Sequence, residues 1–348
     1  RRLESGQTSS FLLKNVSLLT QHGQAGVTDI SISEGLIRGL SDFQTSDETI
    51  VIDGQNGLVI PGLTDHHVHL ASFAASLASV NCGPPSVTTE SELVEAINQP
   101  GTGWLRGIGY HESVLSVLDR AWLDRHGPSR PIKIQHRSGR LWVLNSLGME
   151  LINDTTAKLT PHERSRLNSP DGRLYDLDEL LGQITLGVEP PIAQASDRLA
   201  AFGVTAINDM TPSNDGETWQ WFSELQARGD LLQKVRMSGR PGLESQIDTP
   251  ELMVGETKVH LHDASLPDFG DFVEIIVNSH AQNRGVAVHC VTEVELVFTL
   301  SAFRAAGTNG SDRIEHASVV PPQLIEQLVE LDLGVVTQPN FVAERGEA

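Results

Sequence analysis

Short apolar runs separated by glycine, asparagine and aspartate make up the first part of the chain. The runs at 11–13, 27–32 and 49–53 are rich in leucine, isoleucine and valine, and turn-forming residues lie between them. Such spacing is typical of strands joined by tight turns. The pattern therefore predicts a small β domain over residues 1–60.

From residue 61 the chain changes to apolar runs that alternate with amphipathic segments. Helices are predicted over 271–284 and 322–331. This alternation is typical of parallel strands covered by helices, so residues 61–348 are predicted to be an α/β domain, either a parallel sheet or a βα barrel. A stretch of about 101–190 breaks the rhythm and is interpreted as an insertion between the first two barrel strands. The strand-like runs are 203–209, 234–238, 257–262, 285–289, 313–316 and 334–338.

Composition limits the classes of function. The formal net charge of −20 argues against nucleic acid or an anionic membrane as a partner, because both require a basic surface. No apolar run reaches the roughly 18 residues of a membrane span, and the first residues lack the apolar core of a signal peptide. Only two cysteines occur, which fits a reducing cytoplasm. We expect a cytoplasmic protein that acts on a small molecule.

The most informative segment runs from Leu58 to Leu70 and contains His67 and His69. Side chains two apart on a strand point to the same face, so these imidazoles can share one cation. Two histidines supply part of the ligand set of a catalytic divalent metal. The alternative is a polar strand end with two unrelated histidines.

Other ligand-type residues also lie at predicted strand ends, where βα barrels place their chemistry. They are Lys258, His289 and His316. Any single histidine could be an ordinary core residue, but a set of them at the ends of separate strands is harder to assign to chance. Because Lys258, His260 and His262 share one face by the period of two, His260 and His262 remain open as alternative ligands.

Several segments together resemble the amidohydrolase superfamily, and the resemblance covers nearly the whole chain. It implies a (β/α)8 TIM-like barrel preceded by a small N-terminal β-sandwich. The segments at 104–110 and 142–146 resemble the branch that includes N-substituted formamide deformylase. Those that resemble barrel strands are 58–70, 256–261, 286–289 and 313–317.

The resemblance implies a metal-dependent hydrolase that acts on a carbon–nitrogen bond other than a peptide bond. It implies two divalent metal ions, with zinc as the first choice. One ion would take His67 and His69, the second His289 and His316, and a carbamylated Lys258 would bridge them. The substrate would be an amide-like or cyclic amide compound, attacked by a metal-activated hydroxide.

One expected residue is missing from the sequence. The superfamily uses an aspartate at the end of strand eight as its general base, but no aspartate follows Asp332, and the sequence ends at Ala348. No catalytic acid or base is therefore assigned. An open barrel would expose a strand edge, so we expect the sequence to be incomplete at its C-terminus.

The predicted substrate contacts are His136 and Arg140. Arg140 lies where relatives carry the histidine of Asp-Gly-His, and its planar guanidinium could bind a carboxylate. The alternative is a solvated loop. Cys82, in a Pro-Gly loop, could approach the metals. The habits of the superfamily leave a homo-oligomer open.

Two other functions remain open. A mononuclear amidohydrolase of the deaminase type would use one metal and would not need Lys258. A catalytically dead relative could act as an assembly module, although the retained histidines argue against this interpretation.

Overall fold

The computed structural model describes residues 10–20, 23–41, 49–155, 159–177, 180–182 and 189–340. Its described residues divide into two compact units, with the boundary between Leu63 and Thr64. Residues 341–348 and parts of the insertion predicted at 101–190 lie outside the described residues. None of the described helices is long and apolar enough to cross a membrane.

The N-terminal unit is a four-stranded sheet with the order β3-β2-β1-β4. Strand β1 is antiparallel to β2 and parallel to β4. Glu34 and Gly35 have positive φ angles of 53° and 71°, as expected for a two-residue hairpin turn. The predicted β domain is confirmed, but the described strands form one sheet rather than two facing sheets. The strands are β1 (Phe11–Thr20), β2 (Gly23–Ser33), β3 (Leu36–Leu40) and β4 (Ile50–Val59).

The second unit contains an inserted five-stranded sheet with the order β10-β9-β8-β7-β6. It follows β5 (Leu63–Val68) and α1 (Leu70–Leu77), and it starts earlier than the predicted insertion because β6 has only two residues and gives no apolar run. Strands β6, β7 and β8 are parallel, whereas β9 and β10 are antiparallel to their neighbours. Its elements are β6 (Val80–Asn81), α2 (Glu90–Ile97), β7 (Leu105–Tyr110), α3 (Arg120–His126), β8 (Ile132–His136), β9 (Leu141–Leu144), α4 (Ser146–Thr155), α5 (Pro161–Leu167) and β10 (Arg173–Tyr175).

The chain then returns to a nearly closed barrel of seven parallel strands, with the order β16-β15-β14-β13-β12-β11-β5. The predicted α/β barrel is confirmed. Its elements after the insertion are α6 (Ile192–Ala201), β11 (Val204–Asp209), α7 (Gly216–Ala227), β12 (Lys234–Gly239), β13 (Leu252–His260), α8 (Phe269–Ala281), β14 (Val286–Cys290), α9 (Glu293–Ala306), β15 (Arg313–His316), α10 (Pro322–Glu330) and β16 (Gly334–Val336).

Strand β14 has one apolar face that packs against helices and one face that points into the barrel. Val286, Val288 and Cys290 belong to the apolar cluster that also contains residues of α8 and α9. Because successive side chains alternate faces, Ala287 and His289 point to the other side, into the barrel. Cys290 is 1% exposed and packs in the same apolar cluster.

Candidate metal centre

The four predicted histidines lie in one row at the carboxyl ends of β5, β14 and β15. The distances between ring centroids are 5.2 Å for His67–His69, 4.7 Å for His67–His316 and 4.5 Å for His289–His316. Two imidazoles that share a tetrahedral zinc ion have centroids about 5 Å apart, because each Zn–N bond is about 2 Å long. The row therefore has the spacing of imidazoles that share cations.

Strand alternation explains how three of these residues reach the row. Val68 packs against the outer apolar cluster, so His67 and His69 on either side of it face inward. Strand alternation does not explain the position of His316. Ile314, two residues earlier on the same strand, lies in the outer apolar cluster, so alternation alone would point His316 outward as well. The φ angle of His316 is 73° and that of Ala317 is 46°, so a left-handed turn redirects the chain after β15. Such backbone costs on the order of 1 kcal/mol or more in a non-glycine residue and is concentrated at functional sites.

Three of the histidines are held through Nδ1. In the tautomer that these bonds favour, Nδ1 donates and the lone pair lies on Nε2, the arrangement of a metal-binding histidine. No local pattern in the sequence indicates the partners of these bonds. The bonds run from His67 to Glu315 Oε2 (2.5 Å), from His69 to Thr211 Oγ1 (3.2 Å) and from His316 to Gln338 Oε1 (2.6 Å).

Glu315 links this row to the charged interior of the barrel. Its side chain is fully buried, and it also accepts a hydrogen bond from Arg313 Nε at 2.6 Å. Burial alone would raise the pKa of Glu315, but the hydrogen bond from His67 and the charges of Lys258 and Arg313 hold that pKa below its ordinary value. Glu315 is therefore an ionised carboxylate that fixes the ring of His67.

Asp209 supports His69 from the end of β11. Its carboxylate is 1% exposed and accepts hydrogen bonds from the backbone N–H groups of Leu70 (2.8 Å) and Thr211 (3.0 Å). Asn214 Nδ2 donates a third bond at 2.8 Å. Since Leu70 follows His69 and Thr211 bonds to its ring, Asp209 positions the histidine from two sides.

Lys258 lies inside the barrel on β13 and is 6% exposed. Among the described residues its Nζ has no hydrogen-bond partner. Burial lowers the pKa of Lys258 to about 8, partly offset by the negative charge of Glu315. A buried amine without a partner is costly, and its lowered pKa makes the neutral, nucleophilic form accessible.

The pKa values of His69, His289 and His316 lie below the ordinary value of an imidazole. Burial lowers the pKa of His69 to about 4, partly offset by Asp209, and lowers that of His289 to about 2 with help from His260 and His316. Burial also lowers the pKa of His316, against its hydrogen bond to Gln338. Neutral imidazoles are the form that binds metal ions.

The chemistry of these side chains fits a divalent metal centre. The row offers imidazole nitrogen donors, and the unpartnered Nζ of Lys258 lies in the same interior. Within the described ranges, no group of three or more His, Cys, Asp or Glu side chains is placed to hold one ion. That finding is compatible with the predicted assignment, in which each ion takes two histidines and a further ligand from a modified lysine.

The predicted substrate contacts lie on the inserted sheet. His136 Nε2 is 3.0 Å from Glu112 Oε2, and Arg140 forms a bidentate pair with Asp176 at 2.7 and 2.8 Å. Neither residue contacts one of the four histidines in the described part of the chain. Arg140 is nevertheless close enough to Asp263, beside the end of β13, for an electrostatic interaction.

Cys82 packs in the core of the inserted sheet and is fully buried. A Cβ atom on Gly107 would lie 2.6 Å from its Sγ atom, which shows how tightly the thiol is enclosed. Burial raises the pKa of Cys82 to about 12. The thiol is therefore a core group, and the suggestion that it approaches the metals is not supported.

His260 and His262 extend the row at the end of β13. The ring of His260 lies 4.2 Å from that of His289, its register partner on β14, and 4.5 Å from that of His262. From the sequence alone, both residues are open as alternative metal ligands. Six imidazoles thus form one continuous row from His69 to His262.

A βα barrel with imidazoles at its strand ends and a buried lysine among them is the architecture of metal-dependent hydrolases of the amidohydrolase type. The amidohydrolase family profile matches residues 50–348. The chain belongs to the amidohydrolase family.

The chain is similar to N-substituted formamide deformylase of Arthrobacter pascens, with 23% identity over 356 residues, which covers 85% of this chain. It spans 66% of that protein's length, just under two thirds. Crystal structures of uncharacterized metal-dependent hydrolases from Pyrococcus furiosus and Pyrococcus horikoshii share the fold, with TM-scores of 0.72 and 0.75 and identities of 21% and 19%. Each covers 97% of this chain, which in turn covers 78% and 76% of those chains.

Proposed function

We propose that this protein is a metal-dependent hydrolase that cleaves the carbon–nitrogen bond of an amide-like or cyclic amide small molecule. The row of four histidines around the interior that holds Lys258 is the observation that carries the proposal. His67 and His69 would hold one divalent ion, and His289 and His316 the other, with zinc as the first choice. When bound, such ions supply a hydroxide nucleophile at neutral pH and polarise a carbonyl group.

Lys258 would contribute as a carbamate. Its neutral amine attacks carbon dioxide, a C–N bond forms, and one proton leaves to water. The product carries a negative charge and two oxygen atoms, so it can bind two cations where an ammonium group would repel them. The low pKa of Lys258 and its unpartnered Nζ favour this reaction.

The remaining residues orient the histidines. Glu315, Thr211 and Gln338 each fix one ring through Nδ1, which keeps Nε2 directed for coordination. Because the ligands come from different barrel strands, their positions depend on the folded barrel and do not need to be arranged when substrate binds.

For the substrate, His136 and Arg140 remain the proposed contacts. Asp176 binds Nε and Nη2 of Arg140, which orients the guanidinium and leaves Nη1 for a substrate carboxylate. Arg140 is 52% exposed, as a substrate contact outside the interior would be.

The test is the metal content of the purified protein by elemental mass spectrometry. We expect about two divalent ions per chain in the wild type and a loss of at least one in Lys258→Ala, because the bridging ligand is removed. Lys133→Ala is the matched control. Burial also lowers the pKa of Lys133 to about 8, but this lysine lies on β8 of the inserted sheet, so its removal leaves the metal content unchanged.

One ion per chain that is insensitive to Lys258→Ala would replace the proposal with mononuclear deaminase-type chemistry. No bound metal would refute the metal centre and favour the assembly module.

A further inference from the structure

The second His-x-His pair, His260 and His262, has no role in the proposed two-metal assignment. It resembles the first pair in spacing, since its rings are 4.5 Å apart, compared with 5.2 Å for His67 and His69. Both pairs are therefore close enough to share one cation.

The two pairs differ in how they are held. His67 and His69 bond through Nδ1 to Glu315 and Thr211. Within the described part of the chain, no hydrogen bond is made by the rings of His260 and His262. Without such orienting bonds, imidazoles typically bind a metal about tenfold to a hundredfold more weakly. The second pair is therefore suited to transient binding.

One member of the second pair lies nearer to solvent than the other histidines of the row. His260 is exposed, whereas His67, His69 and His262 are half-buried. Asp176 is close enough to His262 for an electrostatic interaction, and Asp263 is its neighbour in sequence. Imidazoles with carboxylates nearby concentrate divalent cations at such a surface.

His289 connects the pair to the deeper row. Its ring lies 4.2 Å from that of His260 and 4.5 Å from that of His316. A cation on the second pair could therefore exchange one imidazole at a time and move inward without full release to water.

We propose that His260 and His262 form a two-imidazole capture site at the barrel mouth, through which a divalent metal ion enters and leaves the deeper centre. This inference rests on the proposed function, because it requires that the deeper histidines bind metal. Two protein ligands completed by water suffice for a site of low affinity and fast exchange.

The test is stopped-flow uptake of Co²⁺ by metal-free protein, followed by the visible absorbance of the bound ion. In H260Q/H262Q we expect uptake to slow roughly tenfold, because the cation is no longer concentrated at the mouth. The final absorbance stays at the wild-type level, since the deeper ligands are intact. Release of bound Co²⁺ to excess EDTA should slow by the same factor. A shared entry and exit route changes the rates of uptake and release equally and leaves the affinity of the deeper centre unchanged.

The matched control is H111Q/H126Q, which removes two imidazoles that lie outside the row and keeps the wild-type rates. Thermal unfolding of the metal-free variants checks that both fold. Wild-type rates in H260Q/H262Q would overturn the inference. A lower final absorbance would also overturn it, because the pair would then belong to the centre itself. Absence of Co²⁺ uptake by the wild type would refute the proposed metal centre, and the entry route with it.

Discussion

Lys258 in the barrel and Lys133 in the inserted sheet are both interior strand residues, and burial lowers the pKa of each to about 8. Their surroundings differ. The Nζ atom of Lys133 lies 5.5 and 5.6 Å from the ring centroids of Trp104 and Trp142, where a cation is stabilised by the aromatic faces. Lys258 has no such partner and instead lies among carboxylates and beside the histidine row. A lowered pKa therefore indicates a candidate functional lysine only where the neighbouring groups can use the neutral amine.

The largest expected effect concerns the carboxylate that joins the barrel interior to the row. Glu315→Gln should lower the free energy of unfolding of the metal-free protein by about 3 kcal/mol, because Arg313 loses its buried counter-charge. It should also weaken zinc binding by about tenfold to a hundredfold, because the ring of His67 loses its anionic partner. Urea unfolding and competition with a chromophoric chelator measure the two effects.

Glu256→Gln is the matched control for that prediction. Glu256 is another buried barrel carboxylate, bonded to Arg236 and Ser238 instead of a histidine. Its substitution should destabilise the fold and leave zinc affinity unchanged. Equal losses of zinc affinity in both variants would show that Glu315 acts through general barrel stability.

The second effect concerns Asp209. Asp209→Asn should lower the free energy of unfolding by about 2 kcal/mol. The carboxylate now accepts hydrogen bonds from three N–H donors, and in the variant the amide nitrogen, which is itself a donor, would face one or more of them. Zinc affinity should also fall, since Thr211 and Leu70 no longer hold His69. Asp312→Asn is the control. It removes another buried carboxylate, which accepts a hydrogen bond from the N–H of Val286 and lies far from His69 in sequence, and it should leave zinc affinity unchanged. Unchanged zinc affinity in Asp209→Asn would contradict the positioning role.

Part of the site could be predicted because it depends on local periodicity. His67 and His69 share a face because a strand has a period of two, and His289 follows the same rule on β14. The bond from His67 to Glu315 joins residues 248 positions apart, so no local pattern contains it. His316 shows the same limit, because alternation places it with Ile314 and only the left-handed backbone turns it inward. Barrel alternation and the parallel order were therefore predictable, whereas the orienting bonds depend on closure of the barrel.

The third effect concerns Lys133 of the inserted sheet and the pH dependence of stability. The pKa of Lys133 is lowered from 10.5 to about 8 by burial and by its cross-strand neighbour Arg106. Between these values the unfolded chain binds more protons than the folded one, so the contribution of Lys133 makes stability rise with pH. Between pH 8 and 10.5 this contribution to the free energy of unfolding rises by on the order of 2 kcal/mol. Lys133→Met should lack this rise when urea unfolding is compared across that range, and an equal rise in both proteins would contradict the assignment.

The smallest effect concerns the exposed ion pair of the inserted sheet. The side chains of Arg140 and Asp176 are 52% and 40% exposed, so water screens their attraction. Asp176→Asn should change the free energy of unfolding by less than about 1 kcal/mol and should not alter the zinc content. Because Asp176 orients the guanidinium, the same variant should weaken binding of carboxylate-bearing amides while neutral amides bind as in the wild type, which inhibition or calorimetric titration can measure. Equal weakening for both classes would show that Arg140 does not select a carboxylate, and the substrate contact would then have to lie nearer to the histidine row.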